Sequence, residues 1–545
     1  MNSGGSTATC QTCGKAFTSA FLPDAADIAR LDEILRSNAV APETPSLQRM
    51  VSAGPIELGR YDSEIERLHK ELDRLTSERH TLASYADRCR SVFAPIRRIP
   101  TELLAEIFEM CSAAVLIQLS GGTTPHEEPA SLSMRHLLQL SQVSSLWHSI
   151  VINTPKLWST ILVDTCSWDE CTVPPEVLLS LLQSSLNRGG NHPLTIEVIS
   201  IPPHEELVLE LLSRHASRWR DVFFAGADIE SAKYLTAAKG NLGQLQTLDL
   251  SVNWPGVDIL QVAPQLTDVT FRGEVAGVPN LPWAQIRRFV YVGEDWASQA
   301  NCLSLLMRAT NVETASFAMD LTAVSVEDPW QSVSSNLKSV ILELADNPIH
   351  AKETVCRVLD TLTFPSLQSF SFWARTATGV APVLPSQHFM TFADRSSFHI
   401  HLTRLQICAI ITDKELLRCL SVLPQLRDLT VSDCTSPEEH TVITDALLQG
   451  LMDDTSLLVP RLNFLHLTSL LGFADSIYVD LLLTRAHGIA YFKAELWWLP
   501  ARQREASSDM LNQLANLVSN RSLLFDFESG PRDRGFPFHC YQLLD

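Results

Sequence analysis

A short phrase, Leu-x-x-Leu-x-Leu, recurs along residues 215–469 and restricts what this chain can fold into. The clearest copies begin at Leu245 (LQTLDL), Leu266 (LTDVTF), Ile286 (IRRFVY), Val312 (VETASF), Leu337 (LKSVIL), Leu367 (LQSFSF), Leu402 (LTRLQI), Leu426 (LRDLTV) and Leu462 (LNFLHL), with a degenerate copy at Trp219 (WRDVFF). Successive side chains of a strand point to opposite faces. The phrase therefore puts three apolar side chains on one side of a short strand and its approach, and turns the residues between them the other way. Apolar helical stretches lie between several copies, for example Cys302–Met307 and Glu415–Leu420. One strand-plus-helix unit buries its apolar face only against its neighbours, so the pattern predicts a stacked parallel solenoid. The longer gaps, such as Ala374–His399, are expected to be loop insertions, and residues 470–545 two irregular units and a cap.

The phrase and its period of about 27 residues match the leucine-rich repeat, whose units run to roughly 20–29 residues. An ordinary α/β domain with leucine-rich strands is the alternative, because only Asn253 and Cys434 supply the Asn or Cys that follows the strand of such a repeat. Residues turned away from the core are expected to line the free face of the sheet and to read a protein partner. They are Asp249, Asp268, Thr270, Arg272, Arg288, Trp373, Asp428, Thr430, Phe464 and His466. Trp373 and Phe464 are the expected anchors, since exposed aromatics often carry binding energy.

The N-terminal part differs in composition. Residues 1–56 are rich in Ser, Thr, Ala, Pro and Gly and are expected to form a weakly ordered tail. CQTCGKAF (Cys10 to Phe17) imitates the opening of a zinc finger, but the first histidine downstream is His69. Two thiolates make half a tetrahedral site, so no metal is expected. Across residues 57–90, Leu58, Tyr61, Ile65, Leu68, Leu72, Leu75, Arg79 and Leu82 step by threes and fours, a heptad seam interrupted by Arg79. A coiled-coil-like helix follows from that spacing. Its apolar stripe would cover either a second copy or the next domain.

Residues 91–165 carry the sharpest local signal. Pro100 suits the first position of a helix, and Glu102 complements its dipole. Leu103 with Ile107 and Leu104 with Phe108 make two apolar rows, wide enough to bury on two sides. Further on, Val143, Leu146, Trp147, Ile150 and Val151 share one helical face, Thr154–Pro155 ends it, and Leu157 and Trp158 lead into a β-rich run.

The strings IRRIPTELLAEIFEMC and LLQLSQVSSLWHSIVINTPKLWSTI resemble the F-box, especially the form common in fungal F-box-like proteins. That family folds as three helices and docks on the Skp-type adaptor of cullin–RING ubiquitin ligases. The resemblance implies adaptor contact by Ile99, Pro100, Leu103, Leu104, Ile107 and Phe108. It implies a module core from Val143, Trp147, Ile150, Leu157 and Trp158. Two departures stand out. Residues 112–136 form an insert, expected to be a surface loop, and Ser144–Ser145 replaces a Cys-Arg pair frequent in the family's third helix.

A net charge of −20 disfavours phosphate backbones, so no nucleic-acid partner is expected. The 12 cysteines show no framework spacing, which implies reduced thiols in the cytosol or nucleus. No apolar run is long enough to span a membrane, and no signal or lipidation motif is visible. No nucleophile elbow, phosphate loop, dinucleotide fingerprint or His-Glu-x-x-His appears, so neither an enzyme nor a cofactor is expected. The acidic clusters at His204 and His440 fit helix starts. The expected fold is α + α/β: a three-helix F-box module over 91–165, then a leucine-rich-repeat-like α/β solenoid over 170–545. The expected role is a substrate receptor, with a scaffold that has lost adaptor docking as the alternative.

Overall fold

The computed structural model describes residues 22–37, 45–111, 115–117, 132–165, 174–199, 205–293, 305–320, 332–345, 351–375, 383–433, 441–452, 458–485, 491–498, 507–519 and 524–531. The Cys10–Phe17 segment, His204, Cys434 and His440 lie outside them. The chain divides into two compact units, Met1–Pro100 and Thr101–Asp545.

The first unit is helical. Helices span Ala25–Ser37 and Pro45–Val92, so much of the expected weakly ordered tail is helix and the expected 57–90 helix starts earlier. Pro45 explains part of that difference. At the first helical position its missing N–H had no partner to lose, so a Pro-containing stretch of the expected tail instead starts a helix.

In the second unit every copy of the repeated phrase becomes a strand, and each strand pairs in parallel with the next. Among the described residues, fifteen strands join in one sheet in strict sequence order. The nine clear copies give strands Thr247–Ser251, Asp268–Arg272, Arg288–Val292, Thr314–Asp320, Ser339–Ala345, Ser369–Arg375, Arg404–Cys408, Asp428–Ser432 and Phe464–Ser469. Each begins two residues after the first leucine-type position. Trp219–Ala225, Leu194–Ile199 and Thr160–Asp164 extend the sheet upstream, and Tyr491–Trp498 and Leu524–Pro531 extend it downstream. The architecture is a leucine-rich-repeat-like solenoid preceded by helices.

Three rows of side chains run through its core. The first leucine-type positions, Leu245 to Leu462, are all buried, as are the rows Leu248–Val269–Phe289 and Leu250–Phe271–Tyr291 with their successors. Burial alternates along the strands, as in Asp268–Arg272 and Arg288–Val292. The residue after the first leucine supplies the joint between units. The Gln246 carbonyl accepts from the N–H groups of Thr267 and Asp268. The Thr267 carbonyl accepts from Arg287 and Arg288, and the arrangement continues through Arg287, Glu313, Lys338, Gln368, Thr403 and Arg427 to Asn463 and Phe464.

What closes each unit changes along the chain. From Leu245 to Ile286 the copies are about 20 residues apart, at the short end of the repeat range. The expected helix is missing there. Turns and the short 3-10 segments Val275–Gly277 and Trp283–Gln285 take its place, with Trp254 and Trp283 filling the core. After Leu337 the units carry α-helices: Ala351–Thr361, Ser386–Ser396, Asp413–Ser421, Asp445–Met452 and Asp475–Arg485. The expected loop insertion at Ala374–His399 therefore holds a helix, whose Phe389, Phe392 and Ala393 are buried. Thr412 and Glu415 begin the next helix with a reciprocal capping box. Gly450 lets consecutive helices approach, since a Cβ there would sit 2.7 Å from Leu417 Cδ2.

Two polar devices tie units together, and neither was foreseen. An arginine from a later unit, buried at Arg218 and Arg485, caps a helix of an earlier one. Arg218 Nη1 donates to the Leu186 carbonyl at 3.0 Å, Arg395 donates to the Leu359 and Leu362 carbonyls, and Arg485 Nε donates to the Leu451 carbonyl at 2.7 Å. A cation at a helix C-terminus satisfies orphan carbonyls and complements the dipole. The second device is Asp433. Its Oδ1 accepts from the Val442 and Ile443 N–H groups at 2.7 and 2.9 Å. Its Oδ2 accepts from Ser469 Oγ and the Leu470 N–H at 3.0 and 2.9 Å. Burial pushes this carboxyl up to about 6, against the pull of its four donors.

Among the described residues, no helix is long and apolar enough to cross a membrane. Asp433→Ala strands three buried N–H groups and a hydroxyl, each costing about 1–3 kcal/mol when unpaired. A loss of at least about 3 kcal/mol is expected in urea denaturation. Asp433→Asn keeps part of the acceptor set and should fall between the two.

Candidate functional site

Two surfaces of the second unit bear on function. The first is the helical module that opens it. Helices Thr101–Cys111, Leu132–Val143 and Ser145–Asn153 pack on one another, and a 3-10 turn at Pro155–Trp158 passes into the strand Thr160–Asp164. The module thus feeds directly into the solenoid, because Ile161 to Val163 pair with Ile196 to Val198. The insert expected as a loop contributes a strand, Val115–Ile117, paired with Ile161 to Val163, and its last residues already belong to the second helix.

Burial divides the first helix. Leu104 and Phe108 are each 1% exposed and face the module core, where the Phe108 ring lies 4.8 Å from the Trp147 ring. Leu103, Ile107 and Met110 are 49%, 41% and 88% exposed. Spaced i, i+4 and i+7, they form one stripe. The four apolar residues expected at an adaptor contact therefore separate, and Leu104 and Phe108 are core. Ile99 is half-buried and Pro100 is exposed. Pro100 lies just before the helix, not at its first position, and both residues fall in the preceding unit.

The expected module core is corrected at one position. Val143 is 61% exposed, because the helical run breaks beside it. Ser144 Oγ accepts the Trp147 N–H at 3.2 Å as the N-cap of the third helix. That cap gives a physical role to one of the two serines in the departing Ser-Ser pair. Ile150, Leu157 and Trp158 are buried, and Trp147 is half-buried. Trp158 Nε1 donates to the Val151 carbonyl at 2.7 Å, and the Arg188 guanidinium sits 4.5 Å from its ring. Leu138 and Leu146 add to the exposed apolar surface.

The second surface is the outer face of the sheet. Sheet register aligns its residues in rows across the strands: Asp268 beside Arg288, and Asp428 beside Phe464. Most of its charges are paired. Arg272 grips Asp249 through Nε and Nη2 at 3.2 and 3.0 Å. Arg404 Nε meets Asp428 at 3.2 Å, and Thr267 Oγ1 donates to Asp268 at 2.6 Å. Partial burial and the nearby Asp249 carboxylate push the Glu197 carboxyl up. Arg288 and Thr270 are half-buried, and Thr430 is buried.

The two expected aromatic anchors have different fates. Trp373 is only 9% exposed, because it packs with Cys408 between Ile341 and Ile410. It is not an exposed anchor. His466 is also covered, at 8%, since its register neighbours Thr430 and Lys493 and the Phe464 ring crowd it. Phe464 stays half-buried and stacks on Tyr491 at 5.3 Å with the rings nearly parallel. Tyr491 escaped notice because no clear copy of the phrase precedes its strand. Among the described residues, no group of three or more His, Cys, Asp or Glu could hold a metal ion.

Residues 96–164 match a family model described as F-box-like. A search of curated proteins finds no match. Among solved structures, a protein from Bacteroides fragilis aligns at 12% identity over 64% of this chain and 78% of its own, with a TM-score of 0.28.

The split of the first helix separates folding from surface chemistry. Phe108→Ala should cost about 3–5 kcal/mol, as large buried aromatics do. Leu103→Ala and Ile107→Ala should each change stability by no more than about 0.5 kcal/mol, as exposed positions do. Thermal melts of the full chain check both expectations.

Proposed function

We propose that this chain is a substrate-receptor subunit of a cullin–RING (SCF-type) ubiquitin ligase, with the F-box-like segment docking on a Skp-type adaptor and the solenoid holding a protein substrate. The observation that carries the proposal is the exposed stripe Leu103, Ile107 and Met110, on a helix whose opposite side supplies the module core. A monomeric surface has little reason to present a row of large apolar residues unless a partner covers it. The F-box-like match supplies the kind of partner. Val143 and Leu146, exposed on the following helices, extend the apolar chemistry available to it.

The role requires no chemistry from the chain itself. Holding a target beside a ubiquitin-loaded enzyme raises its effective concentration, and proximity does the rest. Target recognition falls to the outer face of the sheet, where the Phe464–Tyr491 stack offers an aromatic platform beside the Asp428–Arg404 pair. Stacked aromatics give large contact area at small entropic cost, the usual composition of a binding hot spot.

Full-length protein should bind a recombinant Skp-type adaptor in a purified pull-down. Leu103→Glu/Ile107→Glu should abolish binding while the melting profile stays intact. If the folded wild-type protein fails to bind, docking is absent and the chain acts as a leucine-rich-repeat interaction scaffold. Phe464→Ala/Tyr491→Ala should keep the adaptor and lose the substrate.

A further inference from the structure

We infer that the Pro45–Val92 helix pairs with the same helix of a second copy as a parallel, in-register coiled coil. Six large residues of the seam, Leu58, Ile65, Leu68, Leu72, Leu75 and Leu82, are between 48% and 69% exposed in the single chain. With Leu58 at position a of a heptad, the a positions continue through Ile65, Leu72, Arg79 and Ala86, and the d positions run Tyr61, Leu68, Leu75, Leu82 and Cys89. The seam from Leu58 to Cys89 spans about four heptads, with Arg79 its one charged position. It lies on one continuous helix.

The flanking charges select a second copy and its direction. Glu64, Glu71 and Glu78 occupy the g positions beside the seam. Each is already held by an arginine of its own chain. Arg67 meets Glu64 at 2.7 Å, Arg74 meets Glu71 at 2.6 Å, and Arg74 also reaches Glu78. These pairs are exposed and only screen the glutamate row, so a second copy fits where its own edge keeps acids away from that row. An antiparallel copy would set g against g, glutamate opposite glutamate. A parallel copy sets these three glutamates against the e residues His69, Thr76 and Ala83, and leaves one acid–acid pair, Glu57 with Asp62, at the start of the seam. Arg79, the charged a residue, then lies beside Glu78 of the second copy. A single polar a residue fixes register at some cost in stability.

Register makes the pairing testable. In a parallel in-register pair, exposed Cys89 at d faces its own equivalent. In an antiparallel pair centred on the seam the two thiols are tens of ångströms apart, given the rise of about 1.5 Å per residue. Full-length reduced protein should sediment at twice the single-chain mass at micromolar concentration. Leu68→Glu/Leu72→Glu, at positions the single chain leaves exposed, should return it to the single-chain mass. Copper–phenanthroline oxidation should give a covalent dimer that disappears in Cys89→Ser and persists in Cys111→Ser, the control at another exposed cysteine. A single-chain mass for the wild type overturns the inference, as does a dimer indifferent to Leu68→Glu/Leu72→Glu. A seam-dependent dimer with no Cys89 cross-link overturns the parallel register.

Discussion

One carbonyl per repeat holds the solenoid in register. It belongs to the residue after the first leucine of each phrase and accepts two consecutive N–H groups from the next unit. That forked contact sets where each strand starts relative to its neighbour. Every later row of side chains inherits the same alignment. A slip of one residue would exchange the core row for the outer row. The leucines in front of the fork resist it because each is buried and a slip would turn it out. Buried Asp433 and the three capping arginines repeat the principle with side chains, joining one unit's polar backbone to the next.

Register also determines which outer-face residues a partner can meet. Adjacent strands lie about 4.8 Å apart, so a large side chain between large neighbours is covered by them. Trp373 lies between Glu343 and Cys408 in register, with Ile341 and Ile410 close by, and is lost to the surface. Phe464 lies at the N-terminal end of its strand beside Tyr491 and keeps its ring available for stacking. The module helix obeys the same rule on a smaller scale. Leu103 and Leu104 are consecutive and equally apolar, yet rotation of about 100° per residue buries one and exposes the other.

Much of this architecture is legible in the residues. The phrase locates each of nine strands two residues after its first leucine, since alternation is a local property of an extended chain. The helix expected in every unit is the exception, since turns and 3-10 segments replace it between Leu245 and Ile286. Other features were hidden. Pro45 and the small residues around it suggest a weakly ordered tail although the helix begins there. Val143 shares a helical face with Ile150 on paper, but the Ser144 cap breaks the helix and the shared face with it.

The repeat, the strand positions, the α + α/β order and the F-box-like segment are all legible in the residues. These rest on periodicity and local spacing, which a linear string carries in full. Only the tertiary structure decided which apolar residues are core and which remain surface. It separated Leu104 from Leu103, removed Trp373 and His466 from the outer face, and made Asp433 the junction of two loops. Burial depends on neighbours far apart in the chain, such as Ile341 and Ile410 around Trp373. No local pattern encodes that proximity, because it arises only when the forked carbonyls align one repeat on the next.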